Sequence, residues 1–410
     1  MSDAPPDPLA PLAAALAALP AQRRRQLRRF QAAGPGSLRA VAAGATPPAA
    51  SPTDSHDPLL LDLASNDYLG FAQHPRLKAA ASACIAEQGV GAGASRLVSG
   101  TRPVHAELER RLARWLGRER VLLFPSGFQA NLAAVGALAD RHSLVLADRL
   151  IHHSLLVGVQ AAGARLQRFA HNDLADLARR LERARSAEPQ RRLVVLSESL
   201  FSMEGTSPDV AALAELCRRH GAALLLDEAH ALGVLGAGGR GLGQGLAGVH
   251  LVSGTFGKAF GSGGAFLAAD GVVGDWLEQF SGPFRYSTAL APPLAAAAVA
   301  ALELLEQEPG YGAALLARAQ RWRDGLEAAG WARPPGEGPI LPLLVGGDAA
   351  ALALQQRLEA AGLLSVAIRP PTVPEGTARL RLVLRHDLPQ GSLERLLGAL
   401  GPPAHPPENS

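Results

Sequence analysis

Of the 40 basic side chains in this 410-residue chain, only Lys78 and Lys258 are lysines; all the others are arginines. Arginine stays protonated and cannot act as an amine nucleophile. A desolvated lysine can lose its proton and form a Schiff base with a carbonyl compound. Lys258 lies in Ser253-Gly254-Thr255-Phe256-Gly257-Lys258-Ala259-Phe260-Gly261, a small-residue, Gly-rich setting. That setting points to a lysine held against a carbonyl cofactor. The ordinary alternative is a surface lysine without a role.

Other groups suit the same chemistry. The apolar run Ala223–Leu226 ends in Asp227-Glu228-Ala229-His230. A carboxylate at a strand's carboxyl end is placed to meet the ring nitrogen of a bound heterocycle. An aspartate that keeps a pyridine nitrogen protonated turns the ring into an electron sink. Asp148-Arg149-Leu150-Ile151-His152-His153 also follows an apolar run. A histidine there stacks on a planar cofactor or moves a proton, or is simply solvated at a helix start. Pro125-Ser126-Gly127-Phe128-Gln129-Ala130-Asn131 separates a strand pattern from a helix pattern. Free N–H groups at that helix start suit a phosphate, and glycine permits close approach. Arg379 and Arg381 alternate with apolar residues and so share one strand face. Their forks suit a carboxylate, or a surface salt bridge.

Two motifs are decoys. Gly236-Ala237-Gly238-Gly239-Arg240-Gly241 has dinucleotide-type spacing, but no strand leads into it and no helix pattern opens from it. Gly257-Lys258-Ala259 lacks the Ser/Thr and the earlier glycine of a nucleotide P-loop. No zinc-type His/Cys spacing occurs, and no metal is expected.

The elements needed to position these groups are legible. From about residue 75, helical patterns alternate with short apolar runs. Helices are expected at 75–88, 103–117, 128–139, 153–162, 173–186 and 209–220. Strands are expected at Leu59–Leu63, Val121–Phe124, Leu144–Ala147, Arg165–Phe169, Leu193–Ser197, Ala223–Asp227, His250–Gly254 and Gly264–Ala268. This alternation indicates βαβ units and an α/β fold with a mainly parallel sheet, whose ligands sit beyond the strands' carboxyl ends. A long Ala/Leu helix at Ala291–Gln307 precedes a different pattern. There, helices at 311–329, 348–361 and 388–399 interleave with strands at Ile340–Val345, Leu364–Ile368 and Ala378–Leu384. A helix is expected over Leu9–Phe30, a loop over Gly34–Pro58, and frayed Pro-rich ends at 1–8 and 402–410. The expected division is an N-terminal helix and loop segment (1–58), a large domain (59–308), a smaller α+β domain (309–401) and a tail (402–410).

Composition narrows the function classes. Hydrophobic residues make up 48% and charged residues 19%, which argues for an ordered core rather than disorder. Net charge is +3, and no basic stripe is interleaved with aromatics, so no nucleic-acid role is expected. Arg23-Arg24-Arg25-Gln26-Leu27-Arg28-Arg29 reads as a solvated helix face, or as a rim that attracts the phosphates of a nucleotide-bearing substrate. Cys84 and Cys217 make no disulfide framework, which suits a cytoplasmic protein. The N-terminus places apolar residues before arginines, the reverse of a secretion signal, and no apolar run suggests a membrane span.

Taken in order, Asn66-Asp67-Tyr68-Leu69-Gly70, Ser95-Arg96-Leu97-Val98-Ser99-Gly100-Thr101, Glu198-Ser199-Leu200-Phe201-Ser202-Met203-Glu204-Gly205, Asp227-Glu228-Ala229-His230 and Thr255-Phe256-Gly257-Lys258-Ala259 resemble the α-oxoamine synthases. The resemblance spans about residues 60–400. It implies the pyridoxal-phosphate-dependent transferase fold of type I, the aspartate-aminotransferase fold, with pyridoxal 5'-phosphate as cofactor and a homodimer with shared active sites. It further implies that Lys258 carries the cofactor and later moves the Cα proton. Asp227 would pair with the ring nitrogen, His152 would stack on the ring, and His230 would bond the ring's 3-oxygen. Gly127, Phe128 and Thr255 would serve the phosphate, and Ser202 and Glu198 would line the site. Asn66 and Arg381 would hold the amino-acid carboxylate, and Thr372 and one of Arg28 or Arg29, here assigned to Arg28, would lie toward the acyl substrate.

Three segments indicate the branch within the family: Arg168-Phe169-Ala170-His171-Asn172-Asp173, Tyr286-Ser287-Thr288-Ala289-Leu290 and Ile368-Arg369-Pro370-Pro371-Thr372-Val373-Pro374. They resemble the biotin-pathway branch, which condenses L-alanine with pimeloyl-CoA or pimeloyl-acyl-carrier protein and releases CO2 and the thiol. The alternative is a sibling that uses glycine and a short acyl-CoA. His153 and Leu290-Ala291-Pro292-Pro293 depart from the usual family pattern.

Overall fold

The structure is a computed structural model that describes residues 7–20, 23–41 and 58–403. Its strands in chain order are β1 (Arg29–Ala32), β2 (Ser37–Val41), β3 (Leu59–Asp62), β4 (Arg120–Phe124), β5 (Leu144–Asp148), β6 (Arg165–Phe169), β7 (Leu193–Glu198), β8 (Ala222–Asp227), β9 (Val249–Thr255), β10 (Ala265–Ala269), β11 (Ile340–Gly346), β12 (Leu363–Leu364), β13 (Val366–Ile368) and β14 (Ala378–Val383).

The main sheet has the order β4-β10-β9-β8-β7-β5-β6. The pairs β8–β9, β7–β8, β5–β7 and β5–β6 are parallel, whereas β10 runs antiparallel to both its neighbours. Helices Gly127–Leu138, His153–Ala162, Leu174–Ala187 and Val210–Arg219 make the crossovers. Every residue of β5 and of β7 is buried, as expected of strands covered on both faces. Alternation along β8 separates the two faces. Leu224 and Leu226 pack in one core cluster with Leu213 and Leu216. Leu225 packs in the other, with Val145, Val194, Ala130 and Ala134. From β4 at one edge the chain crosses to β5 and β6 at the other, then fills the middle. The carboxyl ends of β5, β7, β8 and β9 are thereby gathered at one rim.

Two smaller sheets lie outside this layer: β11-β14-β13, all antiparallel, and β1-β2-β3-β12. In the second, β3 pairs in parallel with β12, so residues 59–62 are joined to the C-terminal region.

Several expectations need correction. The helix expected over Leu9–Phe30 is confined to Ala10–Ala18 among the described residues. Leu19 is extended (φ −71°, ψ 119°) because Pro20 disfavours helical backbone before it. Part of the expected Gly34–Pro58 loop is the strand β2, while residues 42–57 lie outside the described residues. So do residues 1–6 and 404–410 of the expected frayed ends. The expected strand Leu364–Ile368 is broken at Ser365, and its halves join different sheets. The last helix begins only at Ser392, after Pro389 and Gly391 (φ 78°). The helix Gly271–Phe280 was not anticipated.

Candidate active site

The main-sheet rim carries a cavity of about 250 Å³ lined by Gly127, Phe128, Asn131, His152, Ser154, Glu198, Asp227, Ala229, His230, Ser253, Gly254, Thr255 and Lys258. Eight residues expected from the sequence therefore share one space: Lys258, His152, Asp227, His230, Gly127, Phe128, Thr255 and Glu198.

Asp227 ends β8 and is buried. Its Oδ2 accepts from Asn131 Nδ2 at 2.8 Å, and its Oδ1 accepts from the Ala229 N–H at 2.9 Å. Glu198 is its register partner at the end of β7 and accepts the His152 N–H at 2.6 Å. Burial first, and then the neighbouring Asp227 charge, pushes the Glu198 carboxyl well above the usual range.

Lys258 lies just past the end of β9. Burial brings its amine down to about 8, while Asp227 and Glu198 oppose the fall and Arg381 adds to it. Near neutral pH an appreciable fraction of that amine therefore has a free lone pair. Desolvation on its cavity side also lowers His152, although the residue is exposed at the rim; Asp227 opposes this, whereas Lys258 and His153 add to it. His153 itself is exposed at the first position of the helix and does not line the cavity.

His230 is buried, and burial followed by Lys258, Arg381 and His152 holds it well below the usual imidazole range. Burial pushes Tyr68 up to about 12, so the phenol keeps its proton. Tyr68 Oη is 2.5 Å from His230 Nδ1. A phenol that donates there leaves the imidazole proton on Nε2.

Gly127 and Phe128 open the helix Gly127–Leu138, whose N-cap Ser126 accepts from the Gln129 N–H at 3.3 Å. The first N–H groups of a helix have no partner within it and favour an anion. Thr255 Oγ1 donates to Gly264 O at 3.0 Å, which fixes the loop that carries Lys258.

Next to the cavity, Arg381 Nη2 donates to Asn66 Oδ1 at 2.9 Å and Arg381 Nε donates to Ser202 O at 2.6 Å. Asn66 and Arg381 are thus directly bonded. Ser202 engages this group through its backbone carbonyl, and it is not among the residues lining the cavity.

Arg28 and Thr372 are elsewhere. They line a separate cavity of about 480 Å³ with Arg24, Arg25, Gln355 and Arg369. Arg25 Nη2 donates to Thr372 Oγ1 at 3.1 Å, and Arg28 pairs with Glu359.

Sequence reasoning overlooked Asn131 and Ser154 as individual residues. Asn131 is four residues after Gly127, so helical spacing puts both on one face, a usable signal. The decoy Gly-rich loop folds onto a neighbouring carboxylate. Glu228 accepts the Leu242 and Gly243 N–H groups at 3.1 and 2.6 Å. Gly241 has φ +84°, and a Cβ there would come within 2.4 Å of Glu228 Oε2, so a side chain is doubly disfavoured.

The chain matches the aminotransferase class I and II family over residues 59–400. It is 46% identical over 365 residues to the 8-amino-7-oxononanoate synthase of Gluconacetobacter diazotrophicus, covering 85% of this chain and 91% of that one. Among solved structures it is similar to Sphingomonas wittichii serine palmitoyltransferase, with 28% identity, 96% and 97% coverage and a TM-score of 0.86. It is also similar to an 8-amino-7-oxononanoate synthase from Francisella tularensis, with 25% identity, 83% and 96% coverage and a TM-score of 0.70.

The chain belongs to the aminotransferase class I and II family and, within it, to the 8-amino-7-oxononanoate synthases. It is a pyridoxal-phosphate-dependent acyltransferase. The residues present fit that cofactor. One cavity combines a buried strand-end carboxylate, a lysine amine lowered by burial and a helix N-terminus suited to a phosphate.

Proposed function

We propose that the chain condenses L-alanine with a pimeloyl thioester, carried by coenzyme A or by an acyl-carrier protein. The products are 8-amino-7-oxononanoate, CO2 and the free thiol. The observation that carries the chemistry is an amine lowered to about 8 in the same cavity as a buried strand-end aspartate. The choice of substrates draws support from the relative that is 46% identical.

When bound, pyridoxal phosphate supplies an electron sink for a carbanion at the amino acid's Cα. The residues of the chain do the rest. Lys258 Nζ would hold the cofactor covalently and, once released, would take the Cα proton. Asp227 would keep the ring nitrogen protonated. His152 would pack on the ring, and His230 Nε2–H would donate to its 3-oxygen. The Gly127 and Phe128 N–H groups would hold the phosphate, with Thr255 beside them. Arg381, held by Asn66 and the Ser202 carbonyl, takes the amino-acid carboxylate with Asn66. Arg28 and Thr372 border the path of the acyl thioester.

The active form in this reading is a homodimer. Leu97, Val98, Trp276, Phe280 and Tyr286 are exposed apolar side chains. A β-bridge between Ser95 and Thr288 brings the segments of Leu97 and Tyr286 together. Light scattering of the purified protein tests this.

A second reading keeps the site and changes the substrates, because a serine palmitoyltransferase shares the fold at a TM-score of 0.86. Thiol release by the cofactor-loaded protein separates the two. Alanine with pimeloyl-CoA is compared with glycine plus acetyl-CoA and with serine plus palmitoyl-CoA. Release with the first pair alone is expected. Release with either other pair alone moves the enzyme to a sibling branch.

A further inference from the structure

Asp227 and His152 are joined by a chain of hydrogen bonds through two residues to which the proposed reaction gives no role. Asn131 is 3% exposed and Ser154 is fully buried. Asn131 Nδ2 donates to Asp227 Oδ2 at 2.8 Å and to Ser154 Oγ at 2.9 Å. Ser154 Oγ lies 2.7 Å from His152 Nδ1, and the Ser154 backbone N–H points at the same nitrogen at 3.3 Å.

The direction of each bond is determined. An amide nitrogen with two hydrogens can serve both Asp227 and Ser154. Flipping the Asn131 amide would set its oxygen against the Asp227 carboxylate, acceptor against acceptor. The orientation seen leaves Asn131 Oδ1 buried without a partner, a cost the other orientation would exceed. Because Ser154 Oγ accepts from Asn131, its own proton is free for His152 Nδ1. A backbone N–H can only donate, so Nδ1 must be an acceptor and the ring proton sits on Nε2.

We propose that Asn131 and Ser154 are positioning residues that lock the His152 ring to the Asp227 carboxylate and hold it in the neutral Nε2–H tautomer. This deepens the function proposed above and rests on this cavity being the cofactor site. One network then sets two things at once. It aims the Asp227 carboxylate, and it fixes the rotation of His152, the ring assigned to stack on the cofactor. His152 cannot rotate about χ2 without losing Nδ1 as an acceptor for two donors. Protonating Nδ1 would set a third donor against the same two, so the network also opposes an imidazolium.

The test is nitrogen-15 NMR of histidine-labelled full-length protein at pH 7, both loaded with pyridoxal phosphate and stripped of it. His152→Gln identifies the His152 signals by their loss. The expected result is an unprotonated, hydrogen-bonded Nδ1 and a protonated Nε2. In Ser154→Ala the Nδ1 signal should move as it loses one of its two donors, and Ser154→Thr should restore it. Asn131→Ala should weaken cofactor binding roughly 10- to 100-fold, the worth of one hydrogen bond to a charged group. A wild-type His152 protonated on Nδ1 would overturn the proposal, even if the Ser154 and Asn131 variants failed to fold. So would a folded Ser154→Ala whose His152 signals are unchanged. None of these readouts uses turnover, so a different substrate pair in the thiol-release assay leaves the test intact.

Discussion

Glu198 and Asp227 face each other as register partners on adjacent parallel strands. Two carboxyl groups therefore share one strand end, and both line the cavity. Their environments divide the work. Burial and the Asp227 charge push the Glu198 carboxyl well above its usual range, while its Oε1 accepts the His152 N–H. The shift favours the neutral form of Glu198 beside the Asp227 carboxylate. Glu198→Gln keeps the shape and the acceptor and fixes the neutral form, so kcat should stay within a few-fold of wild type. Glu198→Asp withdraws the acceptor from His152 and should lose more. Steady-state kinetics decide this, and a collapse of the Gln variant would mean that Glu198 works ionised.

The two lysines provide an internal control. Lys78 is exposed on the helix Pro75–Gln88, whereas burial holds Lys258 at about 8. An amine attacks a carbonyl only when unprotonated. The rate at which the stripped protein captures pyridoxal phosphate should therefore rise about tenfold per pH unit below pH 8 and level off above it. Stopped-flow absorbance would follow the capture. A rate still rising past pH 10 would indicate a lysine with the ordinary value. Lys258→Ala should abolish the absorption of lysine-bound cofactor and cut turnover on the order of 10²- to 10⁴-fold or more, the range for loss of a general base alone. Lys78→Ala should change neither.

How much of this was legible depended on what each residue packs against. The main sheet could be read because β5 and β7 are buried on both faces and so appear as unbroken apolar runs. Asp227 closes an apolar run, and Lys258 stands out as one of only two lysines in a Gly-rich segment, which placed them. The strands β1 and β2 could not be read. No residue of either is buried, so no alternation marks them, and the Arg-rich approach looks helical. Arg28 and Thr372 are 344 positions apart, and local pattern carries no information on whether they share the cavity of Lys258. Ser202 was expected to line the site, yet it is its backbone carbonyl, which any residue has, that makes the contact with Arg381. Asn131 and Ser154 meet only because two crossover helices pack side by side over the sheet.

Glu228 sits beside this chemistry but acts on the Gly-rich loop. Burial pushes it up to about 7, although bonds from the Gly243 and Leu242 N–H groups pull the other way. In the unfolded chain the ordinary value is 4.5. Between those values the folded protein binds more protons than the unfolded one, so stability should fall as pH rises from about 4.5 to 7. Glu228→Gln removes the titration and should flatten that slope, seen as a smaller change of Tm across the window. An unchanged slope would place the titration elsewhere. Because Glu228 does not line the cavity, the substitution should leave the absorption of the bound cofactor unaltered.

Arg28 and Thr372 offer the sharpest separation between the two substrates. Their cavity is distinct from that of Lys258, and it is bordered by Arg24, Arg25 and Arg369 as well. That charge suits an anionic carrier group on the thioester rather than a small amino acid. Arg28→Ala and Thr372→Ala should therefore raise KM for the acyl thioester roughly 2- to 10-fold, the worth of one polar contact, while KM for alanine stays put. The Arg28 effect should shrink as salt rises, because its side chain is 39% exposed and ions screen it. The Thr372 effect should not depend on salt. Initial rates with each substrate varied in turn, at low and high ionic strength, provide all four comparisons. A thioester KM unmoved by both substitutions would show that the acyl carrier enters by another face.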